Sequence, residues 1–187
     1  FGGTLKDVSA ADLGAVVIRQ AITRAGIEPA SIGDVIMGCV LQGGAGMNVA
    51  RQAALKAGIP KDVPSETVNR VCGSGLQAVA HAVEAMQTGY IDLAVAGGTE
   101  SMSNAPYFLN GARWGYRMGH AEVSDSILAE GLTCAIEGCH MGMTAEAIAE
   151  RFGVTRTDQD AFAAESQRRA EEAIAGGHFR EEIVPVA

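Results

Sequence analysis

The residue of this chain that is best suited to covalent chemistry is Cys72. It stands in the run Asn-Arg-Val-Cys-Gly-Ser-Gly-Leu at 69–76, between a stretch with three β-branched residues, 66–71, and a stretch whose apolar residues recur at helical spacing. This pattern predicts that a strand turns into a helix at the cysteine. Unpaired N–H groups and the positive dipole end of a helix N-terminus favour an anion, so the site would stabilise a thiolate and an oxyanion formed beside it. We therefore predict that Cys72 is a nucleophile.

Two local motifs strengthen this interpretation, because a cysteine at a strand–helix junction is, without further evidence, more often core filler. They are Asn-Arg-Val-Cys-Gly-Ser-Gly at 69–75 and Ala-Val-Ala-Gly-Gly-Thr-Glu-Ser-Met-Ser at 94–103. Together they resemble the thiolase family, and within it the acetyl-CoA acetyltransferases. The likeness continues in the family's order through 46–53, 112–119 and 140–146. The matching cysteine of thiolases carries the acyl group as a thioester, so the resemblance implies that role for Cys72.

The resemblance also implies residues that bind the substrate. In the matching stretch of thiolases, the positions of His140 and Met141 line the pantetheine and acyl pocket, and Leu132 lies nearby. A methionine can shape an apolar slot for a short acyl group, and a histidine can form hydrogen bonds with the amides or phosphates of coenzyme A. We predict that these three residues bind coenzyme A and acetyl-CoA, which are substrates, and that no cofactor is permanently bound.

The elements that must position these residues alternate between helix and strand. Apolar periodicity, caps and glycines predict helices at 9–26, 48–57, 74–88, 144–152 and 157–175, and strands at 34–41, 66–71 and 91–96. Such alternation is typical of a largely parallel sheet with helices on its faces. The predicted fold class is therefore α/β. The resemblance makes it the N-terminal half of the thiolase α-β-α-β-α layered fold, with the start of a loop domain.

Several local details can be predicted as well. The first helix is capped by Ser9 and ends at Gly26, and the residues predicted for its apolar face are Leu13, Val16, Val17 and Ala21. The last helix is predicted to begin with a capping box formed by Thr157 and Asp160. Cys39 stands in an apolar strand and is predicted to pack in the core.

The pattern changes after Ser101. Residues 102–119 contain Pro106, repeated glycines, the only Trp and few periodic apolar residues, which is typical of a long functional or interfacial loop. We predict an N-terminal thiolase α/β domain at 1–101, without the family's first strand, and a partial loop domain at 102–187. The resemblance implies that Arg113 and Arg117 contribute to contacts between dimers, in a homo-oligomer that is a dimer or a tetramer.

Motifs of the second half of thiolases have no counterpart in these 187 residues. That half supplies an Asn-Glu-Ala-Phe motif, the Gly-His-Pro histidine that activates the nucleophile, and a second cysteine in Cys-x-Gly. None of the chain's four histidines stands in a Gly-His-Pro context. We therefore expect the chain to be a thiolase fragment truncated at both ends, with the C-terminal thiolase domain absent, and to be inactive alone.

Composition and charge exclude other classes of protein. The formal net charge is −8, with 14 Lys and Arg against 22 Asp and Glu, which argues against binding of nucleic acid. No apolar run reaches the roughly 18 residues needed to cross a bilayer. Cys134 and Cys139 with the adjoining His140 lack a second ligand pair, so we predict no metal site. The four cysteines form no disulfide-dense pattern. We also predict a cytoplasmic location.

The predicted reaction is acyl transfer between a Cys72 thioester and coenzyme A, within fatty acid metabolism. It condenses two acetyl-CoA to acetoacetyl-CoA, or cleaves a 3-ketoacyl-CoA thiolytically. Two alternatives remain open. A condensing enzyme of the ketoacyl synthase type shares the fold and the nucleophilic cysteine, but would carry a pair of C-terminal histidines. A non-catalytic acyl-CoA-binding or assembly module would keep the fold without the chemistry.

Overall fold

A three-stranded parallel sheet is the centre of the first of two structural units. The computed structural model describes residues 1–186, and its two units comprise residues 1–131 and 132–185. The strands are β1 (Asp34–Gly38), β2 (Ser65–Val68) and β3 (Ala94–Gly98), in the order β2-β1-β3. Both neighbours of β1 run parallel to it, with Val35 paired to Ser65 on one side and to Val95 on the other. The predicted parallel sheet is confirmed, whereas the domain boundary after Ser101 stays a prediction.

Helices cover both faces of this sheet, because side chains alternate along β1. Val35 and Met37 pack with residues of helices α1 (Ala10–Ala25) and α2 (Val49–Ala57). Ile36 points the other way and packs with Ala78 and Ala82 of helix α3 (Ser74–Gln87). Val35, Ile36 and Met37 are each at most 2% exposed. The core of the unit therefore lies on both sides of a single central strand.

Helix α1 begins and ends where the sequence predicted, but it buries a different face. The Ser9 side chain accepts a hydrogen bond from Asp12 N–H at 3.1 Å, and Gly26 adopts the left-handed conformation. The predicted apolar face of Leu13, Val16, Val17 and Ala21 was wrong, since Val17 is 46% exposed and Ala21 is exposed. The buried residues are Ala10, Ala11, Gly14, Ala15, Ile18 and Ile22. Small side chains are favoured there because α1 packs closely on the alanines of α2.

Helix α3 is covered on only one side by its own unit. Its small residues Ser74, Ala78 and Ala82 are buried, at the four-residue spacing of one helix face. Its larger apolar residues are exposed by 40–78%, and these are Leu76, Val79, Val83 and Met86. Gly89 follows the helix in the left-handed conformation and ends it, as predicted. The apolar stripe therefore lies on the side of the helix that its own unit does not cover.

The segment after the sheet forms a short hairpin. Strands β4 (Tyr107–Leu109) and β5 (Val123–Asp125) pair antiparallel, with Phe108 opposite Ser124. The connection between them, 110–122, contains one 3-10 turn and carries the exposed side chains of Trp114 and Met118. Residues Ile127–Leu132 then form a π-helix.

The second unit contains helices α4 (Met141–Phe152) and α5 (Arg156–Ala175). The capping box of α5 is formed by Thr155 and Asp158, so the prediction of Thr157 and Asp160 was wrong. Asp160 instead forms an ion pair with Arg156, one helical turn before it. No helix within residues 1–186 is long and apolar enough to cross a membrane.

Candidate active site

Cys72 lies in a tight turn between β2 and α3. The strand ends at Val68, three residues earlier than predicted, and α3 begins at Ser74 with Gly73 as its N-cap. The thiol is exposed and stands one residue before the cap, at the positive end of the helix dipole. The N-cap is a glycine and supplies no side-chain acceptor; Ser74 N–H bonds to the Val71 carbonyl, and the other N–H groups of the first turn stay available to an anion. The predicted placement of Cys72 at the start of this helix is therefore what the backbone adopts.

Val71 gives the turn its shape, and sequence reasoning did not find this. Its φ is +47°, in the left-handed region that β-branched residues rarely occupy. The Asn69 side chain accepts a hydrogen bond from Val71 N–H at 2.9 Å, which forms a local turn. This turn ends the strand before Val71, although that residue is itself β-branched and favours a strand. Non-glycine residues with such backbone angles cluster at functional sites, and here the strained residue directly precedes the cysteine.

The start of α3 lies directly on the carboxyl end of the sheet. A Cβ at Gly38, the last residue of β1, would be 2.4 Å from the Ser74 carbonyl carbon and 2.5 Å from the Gly75 nitrogen. No side chain can be accommodated at that distance, so glycine is required at position 38. The close approach holds the Cys72 turn at the edge where β1 and β3 end.

A cavity of ≈ 330 Å³ lies beside the thiol. Cys72, Val71 and the first residues of α3 form one wall, and Val40, Thr99 and Glu100 contribute to the other. Open cavities that combine apolar walls with a few polar groups are the usual form of small-molecule sites. The cavity therefore gives a substrate access to the cysteine.

Glu100 is a residue of this site that sequence reasoning assigned no role. Its carboxylate accepts hydrogen bonds from Val40 N–H at 2.8 Å and from Leu41 N–H at 3.0 Å. Because these N–H groups bond to Glu100, β1 stops at Gly38, three residues short of the predicted strand. The only signal in the sequence was an acidic residue directly after an apolar strand. Glu100 therefore holds the segment that forms the wall opposite Cys72.

Cys39 packs in the core as predicted, at 1% exposure, and also contacts Glu100. Its thiol donates a hydrogen bond to Glu100 Oε1 at 3.3 Å. Burial, followed by the negative charge of Glu100, raises the pKa of the Cys39 thiol to about 12. The two cysteines of this unit consequently differ, since Cys39 is a buried neutral thiol and Cys72 is an exposed one.

The three predicted binding residues lie together in the second unit. An antiparallel bridge joins Thr133 to His140, so Leu132 and Met141 are neighbours across it. Leu132 is half-buried and Met141 is 47% exposed. Cys134 and Cys139 come next in this hairpin, where Cys134 N–H donates to the Cys139 carbonyl at 2.8 Å. Across residues 1–186, no group of three or more His, Cys, Asp and Glu side chains is arranged to hold a metal ion.

His140 has a structural role that the sequence did not reveal. It is the N-cap of α4, and its Nδ1 accepts a hydrogen bond from Gly142 N–H at 3.0 Å. The helix therefore begins at Met141, three residues earlier than predicted. Because Nδ1 accepts this bond, Nε2 is the ring nitrogen that can act as a donor. The exposed ring can thus donate one hydrogen bond from Nε2 to a ligand.

Known proteins resemble this chain over its whole length. The family model described as thiolase, N-terminal domain, matches residues 1–187. Acetyl-CoA acetyltransferases of Syntrophomonas wolfei and Pseudomonas aeruginosa are 53% and 50% identical to it, and the matches cover 100% of this chain and 48% and 47% of those proteins. A crystal structure of a thiolase from Ascaris suum in complex with coenzyme A matches with a TM-score of 0.96 at 40% identity, covering 100% of this chain and 48% of that one. The chain spans about half the length of the curated relatives it matches, and the predicted layered α/β fold is confirmed.

Proposed function

The chain belongs to the thiolase family, whose N-terminal domain it matches from residue 1 to residue 187, and on that premise we propose that it provides the nucleophile of an acetyl-CoA acetyltransferase. The reaction condenses two acetyl-CoA to acetoacetyl-CoA, or cleaves a 3-ketoacyl-CoA with coenzyme A. One observation carries the proposal above the others. Cys72 is an exposed thiol directly before a helix N-terminus, beside an open cavity.

The first step forms an acyl-enzyme. In condensation, the Cys72 thiolate attacks the thioester carbonyl of acetyl-CoA, the new S–C bond forms, and the thiolate of coenzyme A leaves and takes up a proton. In thiolysis, Cys72 attacks the 3-keto carbonyl of the 3-ketoacyl-CoA, the bond between C2 and C3 breaks, and acetyl-CoA leaves after its C2 takes up a proton. The Cys72 N–H, and the N–H groups of the first turn of α3 other than that of Ser74, stabilise the negative charge that develops on the carbonyl oxygen. We assign no general base among the chain's histidines. The resemblance implies that this base is a histidine of the family's second half.

The second step transfers the acyl group. In thiolysis, the thiolate of coenzyme A attacks the Cys72 thioester, and Cys72 leaves as the thiolate. In condensation, a base removes a proton from the methyl group of a second acetyl-CoA, the resulting carbanion attacks the carbonyl carbon of the acyl-enzyme, and Cys72 leaves as the thiolate. We propose that Leu132, His140 and Met141 bind coenzyme A. The Nε2–H of His140 suits the carbonyl and phosphate acceptors of this ligand, and Met141 suits its apolar chain.

Labelling tests the nucleophile directly. A chimera, in which this chain replaces the matching stretch of the Syntrophomonas wolfei relative, is incubated with acetyl-CoA carrying an isotopically labelled acetyl group, and the adduct is mapped by mass spectrometry. We expect the label on the peptide that contains Cys72 and none in the Cys72→Ser variant. Label confined to other residues would refute the proposal. Binding of coenzyme A without any adduct would favour the non-catalytic acyl-CoA-binding module.

A chimera tests turnover. This chain replaces the matching stretch of the Syntrophomonas wolfei relative, which is 53% identical to it. We expect cleavage of acetoacetyl-CoA that depends on coenzyme A and is abolished by Cys72→Ser. The 187-residue chain alone is expected to give no cleavage above the buffer rate. Activity that survives Cys72→Ser, or turnover by the chain alone, would contradict the assigned roles.

Assembly and location form the remaining part of the proposal. We propose that the protein acts in the cytoplasm, in fatty acid metabolism, as a homo-oligomer. The exposed connection 110–122, with Arg113, Trp114 and Arg117, supports a subunit contact that makes a tetramer out of dimers. Sedimentation of the chimera, with and without Trp114→Ser, measures this directly. A tetramer that Trp114→Ser leaves intact would argue against the assignment of this loop.

A further inference from the structure

The left-handed conformation of Val71 requires an explanation. At φ = +47° a β-branched side chain crowds its own backbone, and such residues persist only where the surrounding structure holds them. Val71 is also 49% exposed, so tight packing does not hold it. The stabilisation must therefore come from hydrogen bonds to its peptide groups.

Both polar groups of Val71 are bonded within the turn. Its N–H donates to Asn69 Oδ1 at 2.9 Å. Its carbonyl accepts from the Ser74 hydroxyl at 2.5 Å and from Ser74 N–H at 3.1 Å. The Ser74 hydroxyl oxygen in turn accepts from Arg70 N–H at 2.9 Å. One hydroxyl therefore bridges the two residues that precede Cys72 to the first residue of α3.

The surroundings of Ser74 make this bridge strong. Ser74 is 4% exposed, so water does not compete for its hydroxyl. Its backbone lies against Gly38, where the carboxyl end of β1 fixes its position. A buried hydroxyl that both donates and accepts has its hydrogen-bonding capacity directed at this single turn. Since the first residue of a helix does not need its own side chain as a cap, the pattern indicates a role in the turn.

We propose that Ser74 is a positioning residue for the nucleophile. Its hydroxyl holds Val71 in the left-handed conformation, and this conformation places Cys72 between the cavity and the helix N-terminus. The inference rests on the proposed function for its catalytic meaning. It requires that the Ser74 hydroxyl and the left-handed conformation of Val71 are energetically coupled.

A double-mutant cycle measures this coupling in the 187-residue chain. Iodoacetamide alkylates thiolates by displacement of iodide, and mass spectrometry gives the rate at Cys72 separately from other cysteines. Loss of the Ser74 bridge lets the turn relax and moves the thiol away from the helix end. Ser74→Ala is therefore expected to slow alkylation of Cys72 by about three- to tenfold, the equivalent of one typical hydrogen bond.

Val71→Gly is the second substitution of the cycle. Glycine adopts positive φ without steric cost, so the turn no longer needs the bridge. Within the Val71→Gly background, Ser74→Ala is expected to slow alkylation by less than about twofold. An equal effect of Ser74→Ala in both backgrounds would mean that the hydroxyl only supports the helix, and would overturn the proposal. So would an unchanged rate in Ser74→Ala alone.

Two further variants guard the interpretation. Ser31→Ala removes a serine hydroxyl bonded to a backbone carbonyl at a remote turn, Glu28, and is expected to leave the Cys72 rate unchanged. If Ser74→Ala fails to fold, Asn69→Ala removes the other side-chain bond to Val71 and enters the same cycle. Rescue of Asn69→Ala by Val71→Gly is then the expected result, and additivity overturns the proposal.

Acetyl labelling separates this inference from the function on which it rests. If Cys72 is the nucleophile, Ser74→Ala lowers its acetylation in parallel with its alkylation. If the cycle shows coupling but no acetyl label reaches Cys72, the proposed function fails and the turn mechanism stands. If Cys72 is acetylated but the cycle is additive, the function stands and the positioning role fails.

Discussion

Replacing Glu100 by glutamine removes the charge of the cavity wall while conserving its shape. The carboxylate accepts three hydrogen bonds, from Val40 N–H, Leu41 N–H and the Cys39 thiol. An amide has only one oxygen, so its NH₂ group must face at least one of these donors. Glu100→Gln therefore breaks at least one bond to a charged acceptor and leaves an N–H group unpaired.

The expected cost follows from these bonds. Hydrogen bonds to charged groups contribute about 1.5–3 kcal/mol each, and Glu100 is half-buried, which favours the lower end of the range. We expect the free energy of unfolding to fall by about 2 kcal/mol, measured by urea denaturation at pH 7. The substitution also removes the charge that contributes to the raised pKa of Cys39, so that pKa should move down from about 12.

A matched control separates this effect from the loss of charge in general. Glu84 is an exposed carboxylate on α3, and Glu84→Gln is expected to change stability by less than about 0.5 kcal/mol. If Glu100→Gln is as mild as Glu84→Gln, the three hydrogen bonds do not hold the 39–41 segment, and our account of the cavity wall is refuted.

Three other predictions concern neighbouring features. Gly38→Ala forces a Cβ into the backbone of Ser74 and should lower the free energy of unfolding by about 1–3 kcal/mol, whereas Gly3→Ala, at an open position, should not. Equal midpoints of urea denaturation for the two variants would contradict the close approach of α3 to Gly38. His140→Asn keeps an N-cap acceptor but loses the Nε2–H group, so it should retain the stability of α4 and weaken binding of coenzyme A, whereas His140→Ala should lower both the stability and the binding. Calorimetry and denaturation of the chimera measure the two effects, and full binding of coenzyme A by His140→Asn would contradict the role of Nε2–H as a donor. The Cys39 thiol has a pKa raised from 9.0 to about 12, so the stability it contributes is present below pH 9 and is lost as the pH rises toward 12. The free energies of unfolding of wild type and Cys39→Ala, plotted against pH, should therefore converge between pH 9 and 12. Parallel plots would be evidence against the raised pKa.

Element type and order were predictable because their signals are local. Ser9 and Gly26 mark the ends of α1 through hydrogen bonds that span three to five residues, and both were predicted correctly. The bounds of β2 were less predictable, because β-branched residues, which favour strands, occur as far as Val71. There the Asn69 side chain competes for the backbone and turns the chain before the pattern ends.

The buried face of α1 shows where local reasoning fails. Periodicity favoured large apolar residues such as Val17, but the helix buries the face that carries Gly14 and Ala15. A Cβ at Gly14 would lie 3.0 Å from the Cβ of Ala53, so the two helices approach more closely than bulky side chains permit. The partner of a helix decides which of its faces is buried, and this information lies in another segment.

The candidate active-site residues also differ in whether their roles depend on local or on long-range contacts. The chemical character of Cys72 and its place before a helix were readable from the residues around it, because caps, turns and helix dipoles act over short stretches of chain. The family was readable from short motifs at 69–75 and 94–103. The roles of Gly38 and Glu100 depend on contacts with residues about 36 and 60 positions away. Such contacts exist only once the sheet has formed and α3 rests on its edge. Folding therefore supplies the walls of the cavity, whereas the candidate nucleophile, Cys72, is evident in the linear chain.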